Sequence, residues 1–107
     1  MQTSLLQNDK NLTEIVQKLK DHFNPLKTYL FGSRANGTAN SESDYDLFLI
    51  IKDSAQTKIE RMQEANQVLW GRSVSVDVFI YTEAEFNSLN SDINSIANTV
   101  SVEGLEL

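Results

Sequence analysis

Gly32 and Ser33 are followed, after an interval of ten residues, by two aspartates that a single residue separates, Asp44 and Asp46. Glycine permits backbone torsions that bring amide groups close to a ligand, and a serine hydroxyl can donate to a phosphate oxygen. Mg²⁺ prefers hard oxygen ligands and is usually held by one or two carboxylates together with substrate phosphates. The pattern therefore predicts a site for a metal-bound nucleoside triphosphate.

The apolar run from Leu47 to Ile51 begins directly after Asp46 and predicts a buried strand over residues 45–51. Residues i and i+2 of a strand project from the same face, so Asp44 and Asp46 should lie side by side. A carboxylate that enters an apolar run is costly unless it is paired, hydrogen-bonded or bound to metal. Asp44 alone also fits an ordinary turn after Ser43.

A third acid, Asp77, lies within the alternating stretch 74–81, which is the clearest strand in the sequence. It shares its face with Ser75 and Phe79, and one interpretation is a solvent-facing residue of an amphipathic strand. If this strand lies next to the one that begins near Asp46, Asp77 could share a metal and accept the proton of an attacking hydroxyl. Three such acids match the logic of two-metal catalysis.

Four helices and three strands are predicted around these residues. Asn11 and Glu14 suggest a capping box for a first helix, which Asn24-Pro25 ends. A strand over 27–31 runs into Gly32, and one helical turn is expected after Ser33. The apolar stripe of the first helix comprises Leu12, Ile15, Val16, Leu19 and Phe23. The order helix, strand, strand, helix, strand, helix, helix predicts an α/β (α+β) domain on a small mixed sheet.

A second helix is predicted over 55–70, with Gly71 in a left-handed C-terminal cap. Its buried side is expected to comprise Ile59, Met62, Ala65, Val68 and Leu69, with Trp70 also in the core. Thr82 and Glu85 predict a capping box for a third helix. Ser91 is expected to cap a fourth helix, which ends near Gly104 and carries the apolar residues Ile93, Ile96, Ala97 and Val100.

Length and composition limit the possible functions. With 107 residues the chain is expected to be one domain, 1–107, too small to hold an acceptor pocket of its own. It has no cysteine, which excludes thiol catalysis, and its single histidine, His22, is expected to be solvated. The net charge of −6 disfavours direct nucleic-acid binding and suits a basic protein partner. No signal peptide or membrane-spanning run is recognised, so a cytoplasmic location is expected.

The Gly-Ser turn, the ten-residue interval, the paired aspartates and Asp77 together resemble the nucleotidyltransferases of the polymerase-β superfamily. They are most similar to its minimal nucleotidyltransferase (MNT) group, small domains that are often antitoxins of HEPN ribonuclease toxins. The resemblance spans nearly the whole chain and implies a polymerase-β-like fold. It assigns triphosphate binding to Gly32 and Ser33, two Mg²⁺ ions to Asp44 and Asp46, and both metal binding and proton acceptance to Asp77.

Two further positions follow from the same resemblance. Arg34 matches a common residue after the serine and could steady phosphate charge, although it could equally be a solvated side chain. Asn36 departs from the pattern, since a basic residue is expected before Gly37. The departure weakens the case for tight triphosphate binding and leaves all three acids intact.

The function implied by the resemblance is Mg²⁺-dependent transfer of AMP from ATP, or of NMP from another NTP, to a hydroxyl. The acceptor is expected to be a tyrosine of a HEPN toxin, bound in a hetero-oligomer. Two alternatives stay open: an antitoxin that neutralises by binding alone, and a small-molecule nucleotidyltransferase of the aminoglycoside type. The second alternative needs another wall for its acceptor, which this short chain does not supply by itself.

Overall fold

The protein is described by a computed structural model over residues 9–40, 43–72 and 74–107. In chain order these residues form α1 (Lys10–Phe23), β1 (Lys27–Phe31), α2 (Ser33–Asn36), β2 (Tyr45–Ile51), α3 (Lys58–Val68), β3 (Val76–Thr82), α4 (Glu83–Leu89), α5 (Ile96–Glu103) and β4 (Leu105–Glu106). The strands form one sheet in the order β3-β2-β1-β4. β2 is parallel to β3 and antiparallel to β1, and β4 is antiparallel to β1. The predicted mixed sheet packed with helices is confirmed.

The second strand is the centre of the molecule, because its apolar residues are buried on both sides of the sheet. Leu47 and Leu49 point toward α1 and α3, while Phe48 and Ile50 point toward α4 and α5. This is the behaviour expected of a continuous apolar run in a central strand. The sheet therefore has helices on both faces, and the acids of the predicted site stand at one end of it.

The first helix begins two residues earlier than predicted. Its N-cap is Asp9 and not Asn11, and the Asp9 side chain accepts a hydrogen bond from Leu12 N at 3.1 Å. The same carboxylate binds Tyr45 Oη at 2.7 Å, a tertiary contact that favours this cap. The predicted stop is confirmed, because Asn24 adopts the left-handed conformation with φ of 48°.

The helix α3, which is the second helix predicted from the sequence, is shorter than predicted and buries only part of its predicted face. It spans Lys58–Val68 and begins with a capping box formed by Thr57 and Glu60. Ile59 and Trp70 were expected in the core but are 69% and 88% exposed, whereas Arg61 is 2% exposed. Ala65 and Leu69 are buried and Val68 packs against the core, as predicted. The helix therefore keeps part of its predicted apolar stripe, and an arginine is buried beside it. Gly71 has a positive φ of 88°, as expected, but Leu69 is the C-cap.

The C-terminal part contains a confirmed cap, a corrected cap and an unpredicted strand. The capping box of Thr82 and Glu85 is present. The last helix is capped by Ser95 rather than Ser91, which leaves Ile93 82% exposed. β4 has only two residues, too few to show an alternating pattern. β3 itself runs over Val76–Thr82 instead of 74–81.

Two smaller findings complete the fold. His22 is exposed as predicted, and its Nε2 lies 2.6 Å from Glu64 Oε2, so that it joins α1 to α3. Among the helices of the described residues, none combines the length and the apolar character needed to cross a membrane.

Candidate active site

The turn after β1 is built around Gly32. Its torsions, φ 74° and ψ −156°, lie in a region that only glycine adopts readily. A Cβ atom at this position would collide with Oδ2 of Asp46. The carbonyl of Gly32 accepts hydrogen bonds from the amides of Ala35 and Asn36 at 3.0 and 3.1 Å, which closes the single turn of α2. Glycine is therefore required here because a carboxylate rests against its backbone.

The carboxylates of Asp46 and Asp77 face each other across the β2–β3 pair. Asp46 is opposite Phe31 on one side and opposite Asp77 on the other, so all three side chains lie in one row on the α4–α5 face. Burial, together with the negative charges of Asp77 and Asp44, raises the pKa of Asp46 above its ordinary value. The site thus holds like charges close together.

Asp44 stands at the rim of this pair. It precedes β2, is exposed, and lies on the same side as Asp46 by strand alternation. The negative charge of Asp44 contributes to the raised pKa of Asp46. Across the described residues, however, no three side chains of the histidine, cysteine, aspartate and glutamate types converge in a metal-binding cluster. What the structure provides is therefore a two-carboxylate pair with a third acid nearby.

This donor set fits a divalent cation in its chemistry. Carboxylate oxygens are the ligands that Mg²⁺ prefers, and a cation would relieve the repulsion that raises the pKa of Asp46. Because a Mg²⁺ site usually takes some of its ligands from water and substrate phosphates, two close carboxylates are a sufficient protein contribution. The assignment of the three acids to metal remains a prediction.

Arg34 and Tyr45 lie on the other face of the sheet. Arg34 donates from Nε and Nη2 to the carbonyl of Ser43 at 3.0 and 2.8 Å, and its guanidinium lies 4.0 Å from the centroid of the Tyr45 ring. Burial and the hydrogen bond to Asp9 raise the pKa of Tyr45 to about 12. The structure thus brings Gly32, Asp46 and Asp77 together and leaves Arg34 apart from them.

Ser33 and Asn36 are the other predicted positions of this loop. Ser33 begins α2 and is half-buried. Asn36 is exposed, and its side-chain oxygen accepts from Thr38 N at 3.0 Å and from Thr38 Oγ1 at 2.7 Å. The side chain that was expected to be basic is therefore used to shape the loop.

The contacts that anchor the loop before β2 were not predicted from the sequence. Tyr45 separates the two aspartates, so strand alternation alone requires its ring to point away from them. There it contacts Arg34 and Asp9, and the three residues connect the Gly-Ser loop, β2 and the start of α1. A tyrosine between two aspartates could have indicated this anchor, but its partners Arg34 and Asp9 are distant in sequence.

Comparisons with known proteins find matches over most of the chain. The family model described as Polymerase beta, Nucleotidyltransferase matches residues 13–95. A solved structure of a protein from Sulfolobus solfataricus, assigned as a nucleotidyltransferase, is similar with a TM-score of 0.58 and 30% identity, over 74% of this chain and 70% of that chain. None of the curated protein sequences matches the chain significantly.

Two toxin–antitoxin structures share the fold. One was solved with AMP-PNP and is similar with a TM-score of 0.59 and 24% identity, over 88% of this chain and 69% of that chain. The other is an MntA-HpeT variant with two aspartates, two positions apart, changed to glutamate; its TM-score is 0.56 at 20% identity, over 88% and 69% of the two chains. These likenesses confirm the architecture expected from the sequence.

Proposed function

Because this chain belongs to the polymerase beta nucleotidyltransferase family, we propose that it transfers AMP from Mg²⁺-bound ATP to a hydroxyl group of a partner protein. The observation that carries the proposal is that the Asp46 carboxylate rests against the backbone of Gly32 and faces Asp77 on the neighbouring strand. A glycine turn of this kind next to paired acids suits a triphosphate and its metal better than it suits a purely structural role.

The chain's own residues divide the reaction between them. The amides at Gly32 and Ser33 bind the β- and γ-phosphates, while Asp44, Asp46 and Asp77 hold the metal. The chemistry that Mg²⁺ would supply there is neutralisation of the charge on the phosphates. Asp77, at the end of the row farthest from the turn, takes the proton of the acceptor hydroxyl.

The transfer forms one bond to phosphorus and breaks one. The acceptor oxygen forms a bond to the α-phosphorus, and the bond from that phosphorus to the oxygen bridging to the β-phosphate breaks. Pyrophosphate leaves with that electron pair, and the proton held by Asp77 passes to water. The products are an AMP ester of the acceptor and pyrophosphate.

The partner proposed for this reaction is a HEPN-type toxin whose tyrosine is the acceptor. Support comes from the toxin–antitoxin complexes that share the fold, one of them containing the ATP analogue AMP-PNP. The spacing of the two aspartates changed in the MntA-HpeT variant equals that of Asp44 and Asp46. In this hetero-oligomer the modified toxin would lose its ribonuclease activity.

The test is to incubate the chain with ATP, Mg²⁺ and a HEPN-type protein from the same genome, and to weigh that protein by mass spectrometry. The expected result is an AMP adduct that the Asp44→Asn, Asp46→Asn double variant does not form. Absence of the adduct on a folded toxin would overturn the proposal. If the double variant protected cells as well as the parent, neutralisation would rest on binding alone.

A further inference from the structure

The strand that carries Asp77 is an edge of the sheet, and its two halves differ in their outward hydrogen bonding. The carbonyl of Ser75 accepts from Tyr45 N at 3.0 Å, so the odd-numbered residues bond inward to β2 and the even-numbered residues turn their backbone groups outward. In the second half, Ile80 O accepts from Arg61 at 2.8 Å and Thr82 N donates to Glu85 at 2.7 Å. Side chains of the same chain therefore occupy the outward edge of that half.

The first half of β3 is open. The outward amides and carbonyls belong to Val76 and Val78, and within the described parts of the chain no group bonds to them. Unpaired strand edges bind extended polypeptides readily. Asp77 lies between these two valines, so the open part of the edge coincides with the reactive end of the site.

An apolar groove borders the same stretch on the opposite face. It has a volume of about 440 Å³, and its lining includes Leu69, Trp70, Val74 and Val76. Trp70 is 88% exposed, more than any other large apolar residue in the described part of the chain. Exposed tryptophans beside a groove are typical anchors of protein interfaces.

The order of groups across the sheet indicates where the acceptor enters. The phosphate-binding turn at Gly32 is followed by Asp46, then by Asp77, and beyond Asp77 the sheet ends. The acceptor hydroxyl must therefore approach from the β3 side, since the other side is taken by the triphosphate.

We propose that the acceptor is an extended polypeptide segment that adds to β3 at Val76 and Val78 and presents a hydroxyl side chain to Asp77. This inference rests on the proposed function and names the chemistry of its partner. In an antiparallel addition, the residue opposite Asp77 belongs to a non-hydrogen-bonded pair, in which side chains come closest. Its two neighbours point to the other face, into the Trp70 groove.

The segment recognised therefore has an apolar residue, a hydroxyl residue and a second apolar residue in succession. Basic flanking residues would complement the chain's net charge of −6. A sugar acceptor would make no use of the outward amides and carbonyls of Val76 and Val78, whereas an added strand pairs with them, which is why the edge favours a peptide over a small molecule.

The probe is a synthetic peptide with tyrosine between two valines and two lysines at each end. Titrated into the isotopically labelled chain without nucleotide, it should shift the backbone NMR signals of Val76 and Val78. A twin peptide that is N-methylated at both valines should bind at least about tenfold more weakly, because it cannot donate to the edge. Trp70→Ala should weaken binding at least fivefold, and Ile59→Ala, an exposed apolar residue at the other end of α3, less than twofold.

The outcomes separate this inference from the proposed function. Unchanged signals at Val76 and Val78, or equal binding of the N-methylated twin, would overturn the docking site even if the chain adenylylates another acceptor. Edge binding without AMP transfer to the tyrosine, after addition of ATP and Mg²⁺, would support the docking site and count against the function. A phenylalanine twin should bind equally well and accept no AMP.

Discussion

The two ends of β3 hold two pairs of charged side chains in opposite ways. At its start Asp77 faces Asp46, two like charges at an open edge. At its end the buried Arg61 forms a bidentate pair with Glu85, with Nη1 to Oε1 at 2.7 Å and Nη2 to Oε2 at 3.1 Å. The pKa of Asp46 is raised, while hydrogen bonding from Arg61 lowers that of Glu85 to about 2.

This difference separates a pair that serves the fold from one available for chemistry. Arg61 also donates to the carbonyls of Ile80 and Gln56, so the charges and oxygens around it are matched within the chain. Asp46 and Asp77 have no such cation beside them in the described part of the chain, and in the proposed function a metal ion and a phosphate would compensate their charge. Uncompensated charge at a sheet edge is therefore the better mark of function.

The largest expected effect is on the like-charge pair. Asp46→Asn should lower AMP transfer at least about 1000-fold, or roughly 4 kcal/mol of transition-state stabilisation. The same change should raise the urea midpoint, because it removes a half-buried carboxylate beside Asp77. Transfer rates and urea unfolding check both parts. Asp53→Asn, an exposed acid just beyond the other end of β2, is the matched control and should alter neither.

The opposite pair should respond in stability. Arg61→Met leaves Glu85 without its cation and should lower the free energy of unfolding by about 3–5 kcal/mol. The double change Arg61→Met, Glu85→Met should recover more than half of that loss, because no charge is then left unpaired. Urea unfolding measures each step. A loss below about 1 kcal/mol for the single variant would contradict the structural role given to this pair.

A smaller effect tests how the acid pair is placed. Gly32→Ala should lower the free energy of unfolding by about 3 kcal/mol, because both a glycine-only conformation and contact with Asp46 oppose the new Cβ. Gly37→Ala is the matched control: its φ is 84° but nothing lies within 4 Å of the added Cβ, so about 1 kcal/mol is expected. Equal losses in unfolding experiments would show that Asp46 does not rest on Gly32.

The smallest effect is a pH dependence of the Arg61–Glu85 pair. The folded pKa of Glu85, about 2, lies below the ordinary value of 4.5, so the pair contributes its full stability above pH 4.5. That contribution, on the order of 2 kcal/mol for a partly exposed carboxylate, falls as the pH drops toward 2. The difference in unfolding free energy between the parent and Glu85→Gln should shrink over this range. A constant difference would mean that the pair is not ionic.

Much of the framework was predictable because it depends on local pattern. The alternation around Asp77, the apolar run after Asp46 and the capping box of Thr82 and Glu85 each reflect a periodicity or a contact within four residues. All three are confirmed. The errors fall where the local pattern allows two answers: Trp70 extended an apolar stripe and is 88% exposed, and the last helix is capped by Ser95, four residues after Ser91.

The sequence by itself determined the order of the main helices and the first three strands and the face on which each acid stands, since hydrophobic periodicity and strand alternation are local properties. Only the tertiary structure decided that Asp46 rests on Gly32 and meets Asp77 in register, that Arg34 stacks on Tyr45 away from them, and that Arg61 binds the Ile80 carbonyl at the β3 edge. These contacts join residues 11 to 31 positions apart, and their geometry depends on how the sheet and helices pack.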